Sequence, residues 1–172
     1  MSLLSKEQSH IWTIENPHEE KFLRTPVPEF DMTQATRKEL EELVVYMRRM
    51  MTHGHGVGLS ANQIGLPVRM FVAQLPSQDG REYVGKFYAL FNPRIVRISD
   101  KKNIDQEGCL SVPGLFGDME RNNSLTLTAT NKQNKKVSVS VRGYLARIMQ
   151  HEIDHLNGIL FTDSAKNIQK LS

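Results

Sequence analysis

A chain of 172 residues with 39% hydrophobic and 24% charged residues is long enough for one core and has the balance of an ordinary globular protein. No apolar run approaches the ~20 residues that span a bilayer. The charged N-terminus "MSLLSKEQSHIWTIENPHEEK" lacks both the apolar stretch of a secretory signal and the acid-poor look of a transit peptide, so a cytoplasmic location and no membrane partner are expected. The net charge of +3 is scattered in pairs such as Lys101-Lys102 and Lys135-Lys136, too sparse for a DNA-binding face, and a lone Cys109 excludes an internal disulfide.

Residues 1–30 read as irregular, because Pro17, Pro26 and Pro28 interrupt any periodic pattern; within them, residues 1–21 read as an irregular extension of a single domain spanning 1–172. The segment "TRKELEELVVYMRRMM" predicts the first helix. Thr36 with Glu39 forms a capping box, and Leu40, Val44, Met47 and Met51 mark one buried face. The helix should stop at "HGHGVG". "VRMFVAQL" and "FYALFNPRIVRIS" read as strands, with "PSQDGRE" as the loop between them. "SLTLTATN" and "KKVSVSVRG" alternate cleanly and predict a hairpin turning at "NKQNKK". "GYLARIMQHEIDHL" then switches to helical rhythm and ends at Asn157-Gly158. One helix, many strands and a last helix predict an α+β fold, with mixed or antiparallel sheets around a C-terminal helix.

That last helix carries "HEIDH". Residues four apart share a helix face, so His151 and His155 aim two imidazoles at one point, with Glu152 about 100° round from His151. This is the H-E-x-x-H arrangement, in which two histidines hold a metal and the carboxylate handles protons. A shuffle of this composition contains it roughly once in seventy chains, so the plain alternative, a polar helix face, stays open on the motif alone. Tyr144, Ile148, His151 and His155 step by four, three and four, so the histidines continue an apolar stripe that should face inward.

Two histidines need a third ligand. The 17 residues after His155 offer one carboxylate, Asp163, and no His or Glu, which disfavours the downstream ligand usual in H-E-x-x-H proteases. Upstream, Cys109 lies in "QEGCLSVPG", where glycine lets backbone approach closely. A thiolate with two imidazoles leaves one coordination position open, as a catalytic site requires. His53 and His55, in the glycine-rich loop, are spare candidates, with plain loop residues at the helix end the simpler reading. Arg121 and Asp154 are a candidate ion pair behind the metal helix, although a surface pair would account for both equally.

Three stretches, "GVGLSANQIG" (56–65), "EGCLSVPG" (107–114) and "QHEIDHLNGILF" (150–161), together resemble the signature motifs of the peptide deformylase family, in that family's order and with comparable spacing. "FLRTPVPEF" and "RGYLARIMQHE" extend the resemblance over about residues 22 to 163. The resemblance implies that Cys109, His151 and His155 bind one divalent metal, Fe²⁺ natively, with Zn²⁺, Ni²⁺ or Co²⁺ able to substitute. It implies that Glu152 is the acid/base, and that Gln63 and the Leu110 N–H hold the oxyanion. The implied reaction is hydrolysis of the N-formyl group of N-formylmethionyl peptides, on nascent chains near the ribosome, with release of formate. Iron beside an oxidisable thiolate would make activity air-sensitive. Val57, Tyr144 and Ile148 are candidates for the methionine pocket, with core packing the equal alternative. The backbone at Gly58 is a candidate to pair with an extended substrate.

Two departures stand out. The common "GLAA" of the first motif is "GLSA" here, so Ser60 brings a hydroxyl that needs a partner. "GLFGDMER" after the second motif is atypical. Three other functions compete: a metallopeptidase, which shares the hydrolytic chemistry; a binding protein that has lost catalysis, which need not keep Cys109, Glu152 and Gln63; and a structural zinc module, which would want a fourth protein ligand.

Overall fold

The computed structural model describes residues 10–80 and 82–170. Among the described residues, three α-helices, α1 (Pro17–Leu23), α2 (Arg37–His53) and α3 (Tyr144–Leu156), accompany eight strands. The strands are β1 (Gly58–Ser60), β2 (Met70–Pro76), β3 (Tyr83–Ile98), β4 (Lys102–Cys109), β5 (Val112–Asn122), β6 (Ser124–Thr130), β7 (Lys136–Arg142) and β8 (Lys166–Lys170). They form two sheets, one ordered β1-β2-β3-β6-β7 and one ordered β4-β5-β8, and every pairing is antiparallel. The fold is α+β, as the element order predicts.

The continuous apolar run Met70–Ala73 explains the layering. In a strand, successive side chains face opposite sides. Met70 and Val72 pack with Leu40, Leu43, Val44, Met47 and Met51 of α2. Phe71 and Ala73 pack with Ala146, Ile148, Met149, Ile153 and Leu156 of α3. The larger sheet is therefore sandwiched between α2 and α3, and β2 is buried on both faces. Each fully buried Leu, Met or Phe contributes about 1.5–3 kcal/mol. A third cluster, Val112, Leu160 and Phe161, ties the smaller sheet to the segment after α3.

Both long helices end as the sequence predicts. Thr36 and Glu39 form the capping box of α2, and Gly54 closes it. Asn157 caps α3, and Gly158 follows at φ 75°, a left-handed turn that suits glycine. The β6–β7 hairpin pairs in register from Ser124–Arg142 to Thr130–Lys136.

Three expectations need correction. Residues 10–30 are not irregular throughout: α1 starts at Pro17, with Asn16 as N-cap accepting from the His18 N–H. Proline is pre-organised for the first helical position, so Pro17 is a start signal rather than a breaker. Residues 1–9 lie outside the described residues. The stretch "GLFGDMER", which reads as a loop after the second motif, is part of β5, joined to β4 by a tight turn at Leu110–Ser111. Finally, Tyr144 does not join the buried stripe of α3, being 50% exposed, whereas Ile148 and His155 are buried.

Candidate metal centre and active site

Three segments from distant parts of the chain converge. The end of β4 carries Cys109, α3 carries His151 and His155, and a 3-10 turn after β1 (Ala61–Ile64) carries Gln63. His155 Nε2 lies 3.2 Å from His151 Nε2 and 3.1 Å from Cys109 Sγ. The three donor atoms lie within 4.8 Å of one another. Atoms bonded at about 2.0–2.3 Å to one shared ion are spaced in this way. A soft thiolate with two imidazoles on one point, in a mostly buried setting, fits a divalent transition ion. His53 and His55 are not part of the cluster.

Behind the ligands sits a charge network that sequence reasoning missed in part. Glu107 is 7% exposed and receives four hydrogen bonds. Its Oε1 accepts from Arg121 Nε at 3.0 Å and Arg147 Nη1 at 2.7 Å. Its Oε2 accepts from Arg121 Nη2 at 3.0 Å and from His151 Nδ1 at 3.1 Å. Burial pushes the Glu107 carboxyl up, but the His151 and Arg121 bonds outweigh it and hold the group at about 2. A carboxylate on Nδ1 holds the proton of a neutral His151 ring on that side, so Nε2 is the nitrogen placed to take an ion, close to the other two donors. Arg121 also pairs with Asp154, as the sequence suggests, and the pair is not a surface one, since Arg121 is 6% exposed. Arg147 is anchored further by Met119 O at 2.8 Å and Asn103 O at 3.0 Å. Two signals could have exposed this network: Glu107 stands two residues before Cys109, and Arg147 stands one helical turn before His151 on the same face.

Glu152 is 3% exposed, and burial pushes its carboxyl up to about 7, against the His151 charge and a Ser60 hydrogen bond that pull it down. A side chain added at Gly58 would collide with this carboxyl, so glycine is required for β1 to run beside it. Gln63 is locked by its neighbours. The Ser60 N–H donates to its Oε1 at 2.8 Å, which turns Nε2 toward Ser111 Oγ at 3.1 Å and Cys109 Sγ at 3.7 Å. Asn62 Nδ2 donates to the His155 carbonyl at 2.7 Å, tying the same turn to the end of α3.

The segment before α1 also serves the site. Trp12 N–H donates to Gln63 O at 2.7 Å, and Ile14 N–H donates to Ser111 O at 3.0 Å. It thereby straps the Gln63 turn to the Cys109 turn. Glu19 anchors this strap by accepting from Thr13 N–H at 2.7 Å and by its contact with His10 Nε2 at 2.9 Å.

These groups open onto a cleft of about 550 Å³. Val57, Gly58, Gln63, Cys109, Leu110, Tyr144, Ile148, His151 and Glu152 all border it, so most of the predicted site residues meet in one place. His155 sits beneath, 1% exposed. Gly114 and Phe116 of the atypical stretch, on β5, border it too. Among the described residues β1 pairs only with β2, so it is an edge strand, and Gly58 at its start borders the cleft. No helix among the described residues is long and apolar enough to cross a membrane.

Residues 10–171 match the family model of polypeptide deformylase. A peptide deformylase of Desulforudis audaxviator is 42% identical over 132 residues, 77% of this chain and 81% of that protein. One from Roseiflexus castenholzii is 36% identical over 171 residues, 94% of this chain and 91% of that protein. Among solved structures, the Met-Ala-Ser-bound class I type b peptide deformylase of Acinetobacter baumannii superimposes with a TM-score of 0.80 at 28% identity, covering 89% of this chain and 95% of that one. The chain belongs to the polypeptide deformylase family.

Proposed function

We propose that this protein is a single catalytic domain that hydrolyses the N-formyl group of N-formylmethionyl peptides. The observation that carries the reading is the meeting of Cys109 and His151 with Glu152 and Gln63 at the wall of one cleft, with His155 just beneath and the edge strand β1 alongside. Cys109, His151 and His155 would hold one divalent ion, which supplies Lewis-acid polarisation and draws the pKa of water toward neutrality. Fe²⁺ is the native ion on this reading, with Zn²⁺, Ni²⁺ or Co²⁺ able to replace it.

The chain's own groups do the rest. Glu152, whose carboxyl burial pushes up, is placed to accept a proton at the cleft. It takes the proton of the attacking water as the oxygen adds to the formyl carbon. Negative charge develops on the formyl oxygen, where Gln63 Nε2 and the Leu110 N–H are the donors. Glu152 returns the proton to the amide nitrogen, the C–N bond breaks, and formate and a free N-terminal amine leave.

An extended peptide adds along β1 at Gly58, backbone to backbone. Its methionine side chain lies against Val57, Tyr144 and Ile148, which already border the cleft. The Acinetobacter relative was solved with Met-Ala-Ser, the product such a reaction would leave. The natural substrates are nascent chains near the ribosome in the cytoplasm, with no DNA and no membrane partner.

The test compares formyl-Met-Ala-Ser with acetyl-Met-Ala-Ser and unblocked Met-Ala-Ser, using metal-loaded protein. Formate release from the first, with the other two intact, is expected. Cleavage of the internal peptide bonds instead would show a metallopeptidase.

A further inference from the structure

We propose that Ser60 is a positioning residue for Glu152: its hydroxyl pins one carboxyl oxygen, Oε2, and thereby fixes the carboxyl so that the other, Oε1, is presented to the cleft. The inference rests on the proposed proton transfer by Glu152 and adds a division of labour within that carboxyl group.

Ser60 is fully buried on the edge strand β1. Its Oγ lies 2.8 Å from Glu152 Oε2 and 2.9 Å from the backbone carbonyl of the same residue. A serine hydroxyl has one proton and a freely turning O–H. Here both of its acceptors belong to Glu152, so whichever way it turns it stays tied to that residue. The 2.8 Å contact pins Oε2 whichever of the two groups supplies its proton, so the carboxyl keeps one orientation whether or not it is protonated. Oε1 has no hydrogen-bond partner among the described residues. It is the atom nearest to where a side chain at Gly58 would project, and Gly58 borders the cleft. The free oxygen therefore lies beside Gly58, at the cleft, and the held oxygen lies beside Ser60, two residues further along the same strand.

Ser60 acts on the other side of the reaction as well. Its backbone N–H holds Gln63 Oε1 at 2.8 Å, which directs Gln63 Nε2 outward. One buried residue thus sets the proton carrier through its side chain and the oxyanion donor through its backbone. Only the first of these depends on the serine hydroxyl, so a side-chain substitution separates them.

Ser60→Ala removes the hydroxyl and leaves the backbone N–H in place. In formyl-Met-Ala-Ser hydrolysis we expect kcat to fall roughly tenfold, the scale of one hydrogen bond to a charged group, with KM changed less than about twofold. Bound metal per chain and the melting profile should match the wild type. An unchanged kcat would overturn the proposal. So would a fall in kcat that tracks lost metal or a raised KM, because Ser60 would then be supporting the fold or the substrate site. An inactive wild type would refute the proton-transfer reading itself, and this inference with it, while an active wild type with an unaffected Ser60→Ala refutes this inference alone.

Discussion

Replacing Glu107 by Gln changes one atom of a buried carboxylate, and the structure predicts where the damage goes. Oε1 accepts from Arg121 Nε and Arg147 Nη1, and Oε2 accepts from Arg121 Nη2 and His151 Nδ1. An amide has one accepting end and one donating end. With its NH₂ at the first position, it would face two guanidinium donors. At the second it faces one guanidinium and one imidazole, and the imidazole can change tautomer. The second orientation wins. His151 Nδ1 must then accept, which moves the ring proton to Nε2, the atom 3.2 Å from His155 Nε2. A protonated Nε2 cannot bind an ion, so Glu107→Gln should lower metal affinity about 10- to 100-fold, a cost of roughly 1.4–2.8 kcal/mol. Two nearly buried arginines also lose their shared counter-charge, although Asp154 still pairs with Arg121. Breaking a buried pair costs about 3–5 kcal/mol, and the residual pairing places the folding loss near the lower bound. Competition against a chelator reads the first quantity and urea unfolding of the metal-free protein reads the second. Wild-type metal affinity in a folded Glu107→Gln protein would refute the tautomer argument.

Three further outcomes are expected. Gly58→Ala should abolish most activity while the protein stays folded, because the new methyl meets the Glu152 carboxyl; normal turnover would mean that β1 yields more readily than the structure implies. Gln63→Ala should lower kcat by about 10²- to 10³-fold with little change in KM, as for loss of one oxyanion donor; a change confined to KM would move Gln63 to a binding role. The Glu107 carboxyl is held at about 2, below its unfolded value of 4.5. It therefore contributes stability fully above pH 4.5, and that contribution drains away as pH falls toward 2. Urea midpoints of metal-free wild type should drop over this window more steeply than those of Glu107→Gln, and parallel curves would contradict the assignment.

Much of the fold was legible where local pattern and tertiary burial agree. The Leu40–Met51 stripe and the Thr36–Glu39 box predict α2, and the alternation of "SLTLTATN" and "KKVSVSVRG" predicts the hairpin. The smaller sheet was not legible. β8 is exposed along its whole length and β4 along most of its length, so neither alternates apolar with polar residues. Gly114 and Gly117 further disguise β5 as loop. At the site, spacing on one helix made His151, Glu152 and His155 readable, and the short tail pointed upstream to Cys109. The Glu107 network was hidden because its partners, Arg121 and Arg147, come from β5 and α3, and only the folded chain brings them to β4.

The central claim is that Glu152 moves the proton at a site held by Cys109, His151 and His155. Formate release from formyl-Met-Ala-Ser by Glu152→Ala, at matched metal content, tests it most directly. The account predicts a rate at least about 10²-fold below wild type, the contribution of a positioned acid/base. Equal rates for the two proteins would contradict it.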